Sequence, residues 1–343
     1  MTRLVPVLKH RYDARTEAEC WGYANLRGEI AIAHRFQAAR AFHDGMACVK
    51  LDGALTYVDE DGSILSERFD GADDFAEGRA RVVREKRVGY VDKKGALVVP
   101  FQYAYGGSFS EGLAPVQRDG KWGYIDGDGA ESIPFQFDDA RGFSETFAAV
   151  KVGDRWSFID REGRFATDQR FESAYDFSEG YAAVQVDRRF GYLDKSLSMA
   201  IAPRFDRATS FHDGLASVSE IPSSGTSVSV WQFIDASGKR ALAIEFKDYF
   251  GPIFSEGLLA ARMYPGWGYY DKTGAEAIKM ARFLDRDGKS FYATSMMACE
   301  HFRDGVARVF VQPSYYVDPM KDLAPDHIAY IDKTGAVLIG SRR

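Results

Sequence analysis

The sequence is poor in the residues that most site chemistries need. Three cysteines, Cys20, Cys48 and Cys299, are spread over 343 residues. They are odd in number, far apart and out of phase with the rest of the pattern, which excludes a disulfide framework and a zinc ribbon and fits a reducing compartment. The six histidines form no His-x-x-x-His or His-Glu-x-x-His pair, so the helical zinc signature is missing. Gly-x-Ser-x-Gly and phosphate-cradling glycine loops are missing too. Lys and Arg number 44 against 50 Asp and Glu, a net charge of −6, so the clustered basic face of a nucleic-acid binder is not there. No apolar run approaches the ~18 residues that cross a bilayer, and the first ten residues lack the apolar core of a signal peptide. A cytoplasmic protein with no membrane segment and no cofactor is the resulting expectation. No window in the first 210 residues carries a sustained helical stripe.

What the chain has instead is repetition. An aromatic, mostly acid-terminated phrase recurs nine times, beginning at Trp21, Leu55, Val88, Trp122, Trp156, Phe190, Trp231, Trp267 and Ile328. A second phrase, Phe-x-acid, lies between successive copies at Phe42, Phe75, Phe109, Phe143, Phe177, Phe211, Phe254 and Phe302. Gly follows it in every copy but the one at Phe143. The spacing is 33 or 34 residues through Phe211, then 43 and 48. A fixed period of this size marks a repeat architecture in which each unit leans on its neighbours. All five tryptophans stand in one slot of the repeat.

One unit, Phe109 to Gly142, reads as a three-stranded meander. Leu113–Gln117 is a short strand, Arg118-Asp-Gly-Lys121 a hairpin turn, and Trp122-Gly-Tyr-Ile-Asp126 the return strand, with Trp122 and Tyr124 on one face and Ile125 on the other. Asp126-Gly-Asp-Gly129 has the Asp and Gly positions of a type I turn. Asp194 is followed by Leu197 where Gly is expected, so that turn should be the least well formed. A third strand, Ser132–Phe137, contains Pro134 and should be edge-like or irregular. The fold class expected is all-β: a tandem repeat of ~34-residue three-stranded meanders stacked as an open twisted β-hairpin solenoid. Propeller blades usually have four strands and ~40 or more residues, which leaves a closed β-propeller-like ring as the alternative. The array is expected to be one continuous domain over 1–343, regular over 4–218 and irregular over 219–343, where insertions or a C-terminal cap break the period.

Lys121-Trp-Gly-Tyr-Ile-Asp126, preceded by Phe109-Ser-Glu-Gly-Leu-Ala-Pro-Val116, resembles the WG (KWG) repeat found mostly in bacterial proteins. The resemblance spans about residues 4 to 338. It implies an all-β repeat protein and no shared catalytic residue, so no site is carried over. Leu55-Thr56, Trp156-Ser157, Trp231-Gln232 and Ile328-Ala329 depart from the Trp-Gly pair, which implies that the Trp packs and can be exchanged.

The functional candidates follow from where the period holds and where it fails. The acids of the second phrase, Asp44, Glu77, Glu111, Glu145, Glu179, Asp213, Glu256 and Asp304, form a regular row beside the turn aspartates. Such rows could hold calcium or supply acid and base pairs. The simpler expectation is that each bonds a backbone amide, because a periodic feature is poor evidence for a unique site. The regular aromatics are likewise core before they are sugar-stacking platforms. Insertions in repeat proteins often map to binding loops. Here they contain Met296, Met297, Tyr315, Tyr316 and Met320, side chains typical of interfaces. A short helix between 276 and 300 is also expected. The leading function is a non-catalytic scaffold that binds a protein partner through this C-terminal half. The alternatives are a carboxylate-dependent hydrolase or glycan-processing enzyme, and an immunity-type protein that masks a toxin.

Overall fold

The structure, a computed structural model, describes residues 3–10, 19–220, 229–242, 246–248, 252–263, 266–278, 283–284, 290–291, 296–311 and 328–340. Every regular element among them is a β-strand. The chain divides into two compact units, Met1–Gly180 and Tyr181–Arg343. The short helix expected between 276 and 300 is absent among the described residues there. They form the strands Glu276–Ile278, Phe283–Leu284, Ser290–Phe291 and Met296–Cys299.

The repeat built on Trp122 shows the unit. A two-residue strand, Tyr105–Gly106, pairs with Leu113–Arg118, which pairs with Lys121–Asp126, which pairs with a closing strand, Glu131–Phe137. All pairings are antiparallel. The expected three-stranded meander is therefore a four-stranded sheet, because the connecting segment adds its own short strand. Strand count no longer separates the unit from a propeller blade. The Asp119-Gly120 hairpin turn has positive φ at both residues, 52° and 78°, the geometry that matches strand twist.

The two motifs of the sequence meet in space. In the first unit Tyr124 packs edge-on against Phe143, with ring centroids 5.1 Å apart, and Tyr23 lies 4.8 Å from Phe42. In the second, Tyr192–Phe211 and Tyr269–Phe302 repeat the contact at 5.0 and 4.8 Å. Such a pair contributes about 0.5–1.5 kcal/mol beyond its buried area. These tyrosines are fully buried, and the hydroxyl is bonded as burial requires: Tyr124 Oη donates to the carbonyl of Arg141 at 2.7 Å. The name-giving Trp122 is only half-buried. The two faces of the sheet serve different neighbours. Trp122 and Tyr124 pack with Phe143, Val150 and Ile159 of the next repeat. Ile125 packs with Tyr90, Val99 and Tyr103 of the previous one. Each hydrophobic cluster is thus shared by successive repeats, as a repeat array requires.

The Gly of the Trp-Gly pair has a steric cause. Trp122 pairs with Phe137 and Tyr124 with Ile133, so the closing strand bulges over Gly123. A Cβ on Gly123 would stand 2.7 Å from the carbonyl oxygen of Ile133, and one on Gly22 would stand 2.6 Å from that of Ile32. Where a hydroxyl residue replaces this Gly, the closing strand is lost. The Leu55 repeat has Thr56, the Trp156 repeat has Ser157, and both keep three-stranded sheets, with isolated bridges such as Leu55↔Phe69 and Trp156↔Phe171. The carbonyls of the displaced segments are then capped locally. Thr56 Oγ1 donates to Leu65 O at 3.1 Å, and Arg68 Nη1 donates to Leu65 O and Ser66 O at 2.8 and 3.0 Å. Ser157 Oγ donates to Gln169 O at 3.0 Å, and Arg170 Nη1 donates to Thr167 O and Gln169 O at 3.1 and 3.0 Å. The same arginine slot acts differently beside a Gly: Arg35 reaches forward to Gly62 O at 2.7 Å.

Pro134 lies in the bulged edge strand, as its missing N–H demands. The Asp194 turn corrects the expectation that it would be the least well formed. Leu197 takes the left-handed conformation (φ 60°), its N–H donates to Asp194 O at 2.9 Å, and the Ser196 amide donates to the Asp194 carboxylate at 2.8 Å. Its side chain is buried, 8% exposed, and that burial offsets backbone strain.

Candidate functional sites

The acids of the second phrase occupy a tight turn. Glu111 and Gly112 have φ of 53° and 80°, and Ser110 and Leu113 exchange backbone hydrogen bonds of 3.0 and 3.2 Å across them. This is a type I′ turn, whose first central position is unfavourable for glutamate by about 1–2 kcal/mol. A carboxylate there needs a compensating partner, and it finds one in the next repeat. Glu77 accepts from the amides of Glu111 and Gly112 at 2.7 and 2.8 Å. Glu111 accepts from Thr146 N at 3.0 Å, Glu145 from Gly180 N at 3.0 Å, and Asp44 from Gly78 N at 2.6 Å. Hydrogen bonds to a charged group contribute about 1.5–3 kcal/mol, enough to outweigh the strain.

The same bond survives the longer repeats. Asp213 accepts from Gly257 N at 2.6 Å across 44 residues, and Glu256 from Gly305 N at 2.8 Å across 49, against 34 or 35 in the regular region. A cation on the following turn often joins, as in Lys93–Asp44 at 2.6 Å and Lys333–Glu256 at 3.0 Å. Burial works against ionisation of Asp44 and Glu256, but the lysine and the glycine amide outweigh it and hold both carboxyls below the usual range. The neighbouring slot adds a second link: Ser110 and Ser144 Oγ each donate at 2.7 Å to the carbonyl of the next repeat's Phe, Phe143 and Phe177.

The turn aspartates are used locally. Asp126 Oδ1 accepts from Asp128 N and Ala130 N at 3.0 and 2.9 Å, and Asp59 does the same for Asp61 and Ser63. At Asp271 and Asp332 the hydroxyls of Thr273 and Thr334, with local amides, keep the carboxyls low. The turn aspartates, and Asp44, Glu77, Glu111, Glu145, Asp213 and Glu256 of the second row, thus take the backbone role the sequence favoured. Among the described residues no group of three His, Cys, Asp or Glu is placed to hold a metal ion.

One carboxylate leaves the pattern. Asp176 Oδ1 is buried without a hydrogen-bond partner, as is Arg141 Nε. Burial raises the Asp176 carboxyl above its usual range, and Arg141 offsets this only in part. The Arg141 guanidinium lies 5.3 Å from both the Trp156 and Tyr175 rings. Nothing in the spacing of the sequence marks Asp176, because it stands in a variable slot beside Phe177. Cys48 is buried, and burial pushes its thiol up to about 11, so it is a packing residue. Of the candidate partner-binding residues, Met296 and Met297 lie in the strand Met296–Cys299, where Met296 pairs with Val311. Tyr315, Tyr316 and Met320 lie outside the described residues.

Comparison with known proteins agrees with this architecture. The family model described as a WG containing repeat matches six consecutive segments, 21–53, 56–86, 89–122, 122–156, 156–189 and 190–220. The chain belongs to the WG-repeat family. No curated protein matches the sequence. The crystal structure of the eukaryotic initiation factor is similar in fold, with TM-score 0.59 and 12% identity, covering 99% of this chain and 96% of that one. Looser likenesses include dihydro-heme d1 dehydrogenase NirN in complex with DHE (TM-score 0.46, 13% identity, 100% and 73% covered) and the WD40 domain of SCAP from fission yeast (0.34, 11%, 76% and 92%). Neither of those two is close enough to argue from.

Proposed function

We propose that this protein is a non-catalytic repeat scaffold of a bacterial cytoplasm that holds a protein partner through its irregular repeats, 219–343. The observation that carries the reading is the use of the acidic row. Its carboxylates are spent on joining one repeat to the next, and that joint is kept when the repeat lengthens to 43 and 48 residues. The frame therefore tolerates added sequence, which is what an adaptable binding surface needs. The test is capture from the native host by the full chain and by a chain whose 312–325 segment is replaced by a short turn. Loss of one specific protein, recovered and shown to bind the purified full chain, is expected. Identical captured sets from both chains of equal thermal stability would remove the C-terminal interface.

The hydrolase reading asks for a carboxylate outside its repeat role beside a substrate cavity. Asp176 satisfies the first requirement. The cavity between the Leu55 repeat and the next is lined by other residues, Glu67, Phe69, Arg84 and Phe101 among them, and the scaffold reading is preferred. For the path of the array, the four-stranded unit supports the ring alternative over the open stack. A scattering radius of gyration near the ~20 Å of a compact body of this length is expected for a ring, and a clearly larger value for an open stack.

A further inference from the structure

The sheets of the first unit share one orientation of their turns. Leu113 pairs with Asp126 and Arg118 with Lys121, so the Phe109 turn and the Asp126 turn lie at one end and the hairpin at the other. Met46↔Asp59 and Arg79↔Asp92 repeat the arrangement. The two ends differ in charge. The turn end, residues 25–29, 40–45, 59–63, 73–78, 92–96, 107–112, 126–130, 141–146, 160–164 and 175–180, carries 17 acidic and 7 basic residues. The hairpins and the connections beside them, 50–54, 66–70, 84–87, 118–121, 136–138, 151–155 and 168–172, carry 9 acidic and 10 basic. Arg79 and Arg81 reach the turn end from their strand, donating to Gly127 O and to the Asp73 carboxylate, and still leave it acidic.

The same end carries an exposed apolar slot. Ile30 pairs with Ala24 and Leu97 with Val91, each at the start of a closing strand. Ile30 is 52% and Leu97 45% exposed, while Ile32 and Val99, two residues on, are buried. A turn of the following repeat stands beside each strand. A Cβ on Gly62 would lie 3.7 Å from the Ile32 side chain, and one on Gly129 would lie 2.9 Å from that of Val99. These turns bring up Glu60, Asp61 and Asp128. All three are exposed, and among the described residues their carboxylates accept no hydrogen bond and form no ion pair. Their neighbours Asp59 and Asp126 are bonded to local amides instead. Lys94 is the exposed cation of the turn between Ile30 and Leu97, where Lys93 is already held by Asp44. Further along, Glu131 holds the apolar slot, and Phe165 after it lies under Arg170, 4.5 Å from the ring. The open apolar surface is therefore that of Ile30 and Leu97.

We propose that this end of the first unit docks a lysine- or arginine-rich segment of a partner protein. Its apolar side chains cover Ile30 and Leu97, and its cations meet Glu60, Asp61 and Asp128. Charge selects the occupant, because the acid excess attracts a basic segment and repels a phosphate backbone or an anionic bilayer surface. A single exposed apolar side chain is ordinary. Here two recur in one slot, each beside carboxylates that no joint between repeats uses. Burial of the apolar pair supplies affinity, and the carboxylates set orientation and approach. The surface lies within residues 25–130 and does not depend on the interface proposed for 219–343.

The test is fluorescence anisotropy of a short labelled lysine–leucine peptide titrated with the full chain. Saturable binding at low salt that weakens at high salt is expected. The Glu60→Gln, Asp61→Asn, Asp128→Asn chain should bind about tenfold more weakly. The Asp52→Asn, Asp119→Asn, Asp154→Asn chain removes the same charge from the hairpins and should bind within about twofold of the parent. Asn tolerates the left-handed backbone at Asp52 and Asp119. The Ile30→Ser, Leu97→Ser chain should bind about fivefold more weakly and remain folded, because both side chains face solvent. Absence of saturable binding, or equal weakening by the two charge-removed chains, would overturn the surface. A lysine–serine peptide that binds as tightly as the lysine–leucine peptide would overturn the apolar contact.

Discussion

The repeats built on Trp122 and Trp156 are adjacent and alike in sequence, yet one closes its sheet and the other does not. Gly123 lets the Ile133 carbonyl approach within a distance no Cβ allows. Ser157 occupies that space, and the segment after it is held by its hydroxyl and by Arg170. One methylene and one hydroxyl thus exchange a backbone ladder for side-chain caps. The Leu55 repeat makes the same exchange with Thr56 and Arg68, and the cavity lies at its border. Aromatic pairing is indifferent to the difference: Phe158 still meets Phe177 at 5.2 Å. Coupling between repeats and closure within a repeat are therefore separate properties of the sequence.

The comparison is open to direct attack. The largest effect is expected from Gly123→Thr, which should lose about 2–3 kcal/mol in urea unfolding, because Gln136 cannot cap the displaced carbonyls as an arginine does. Adding Gln136→Arg should return about 1 kcal/mol of that. A double variant no better than the single would break the link between the two slots. Next, Arg170→Ala should destabilise by about 1 kcal/mol, while Gln136→Ala beside Gly123 should stay within about 0.5 kcal/mol. Equal losses would show that the cap has no special role.

Asp176→Asn should stabilise the protein by about 1 kcal/mol at pH 7. Its folded-state carboxyl titrates above the unfolded value, so its contribution is fullest below the unfolded pKa and is lost as pH rises through the folded one. The gain from Asn should accordingly shrink on acidification toward pH 4. A constant gain from pH 4 to 8 would contradict the burial account. The smallest effect concerns the regular and lengthened repeats. Glu256→Gln should lose less than about 1 kcal/mol at pH 7, about as much as Glu111→Gln. Glu256 is held low, so its stabilisation is present above the unfolded carboxyl pKa and disappears as pH falls through the folded one. A much larger loss at Glu256 would mean that the long repeats depend on the joint more than the short ones.

Periodicity made the architecture readable because every unit states the same packing solution. The two recurring phrases marked the Tyr and Phe that meet in space, and the Asp turns and hairpin turns fell where their residues require. The partner of each acid was not readable, since it lies one repeat away and only the left-handed turn geometry points the carboxylate there. The short fourth strand leaves no mark in the sequence because two residues carry no alternation. The missing closing strands did leave a signal, Thr56 with Arg68 and Ser157 with Arg170. Arg35 and Arg204 stand in the same slot beside Gly, which hides it. Asp176 follows from no pattern. Met296 and Met297 proved to lie in a paired strand, which spacing in an insertion could not tell.

Hydrogen exchange over Glu131–Phe137 in the Gly123→Thr, Gln136→Arg chain measures the claim that a hydroxyl residue in the Gly123 slot, unlike Gln232 or Ala329 there, opens the closing strand. The account predicts that protection falls across this segment while Leu113–Arg118 and Lys121–Asp126 keep theirs. Unchanged protection of Glu131–Phe137 would contradict it.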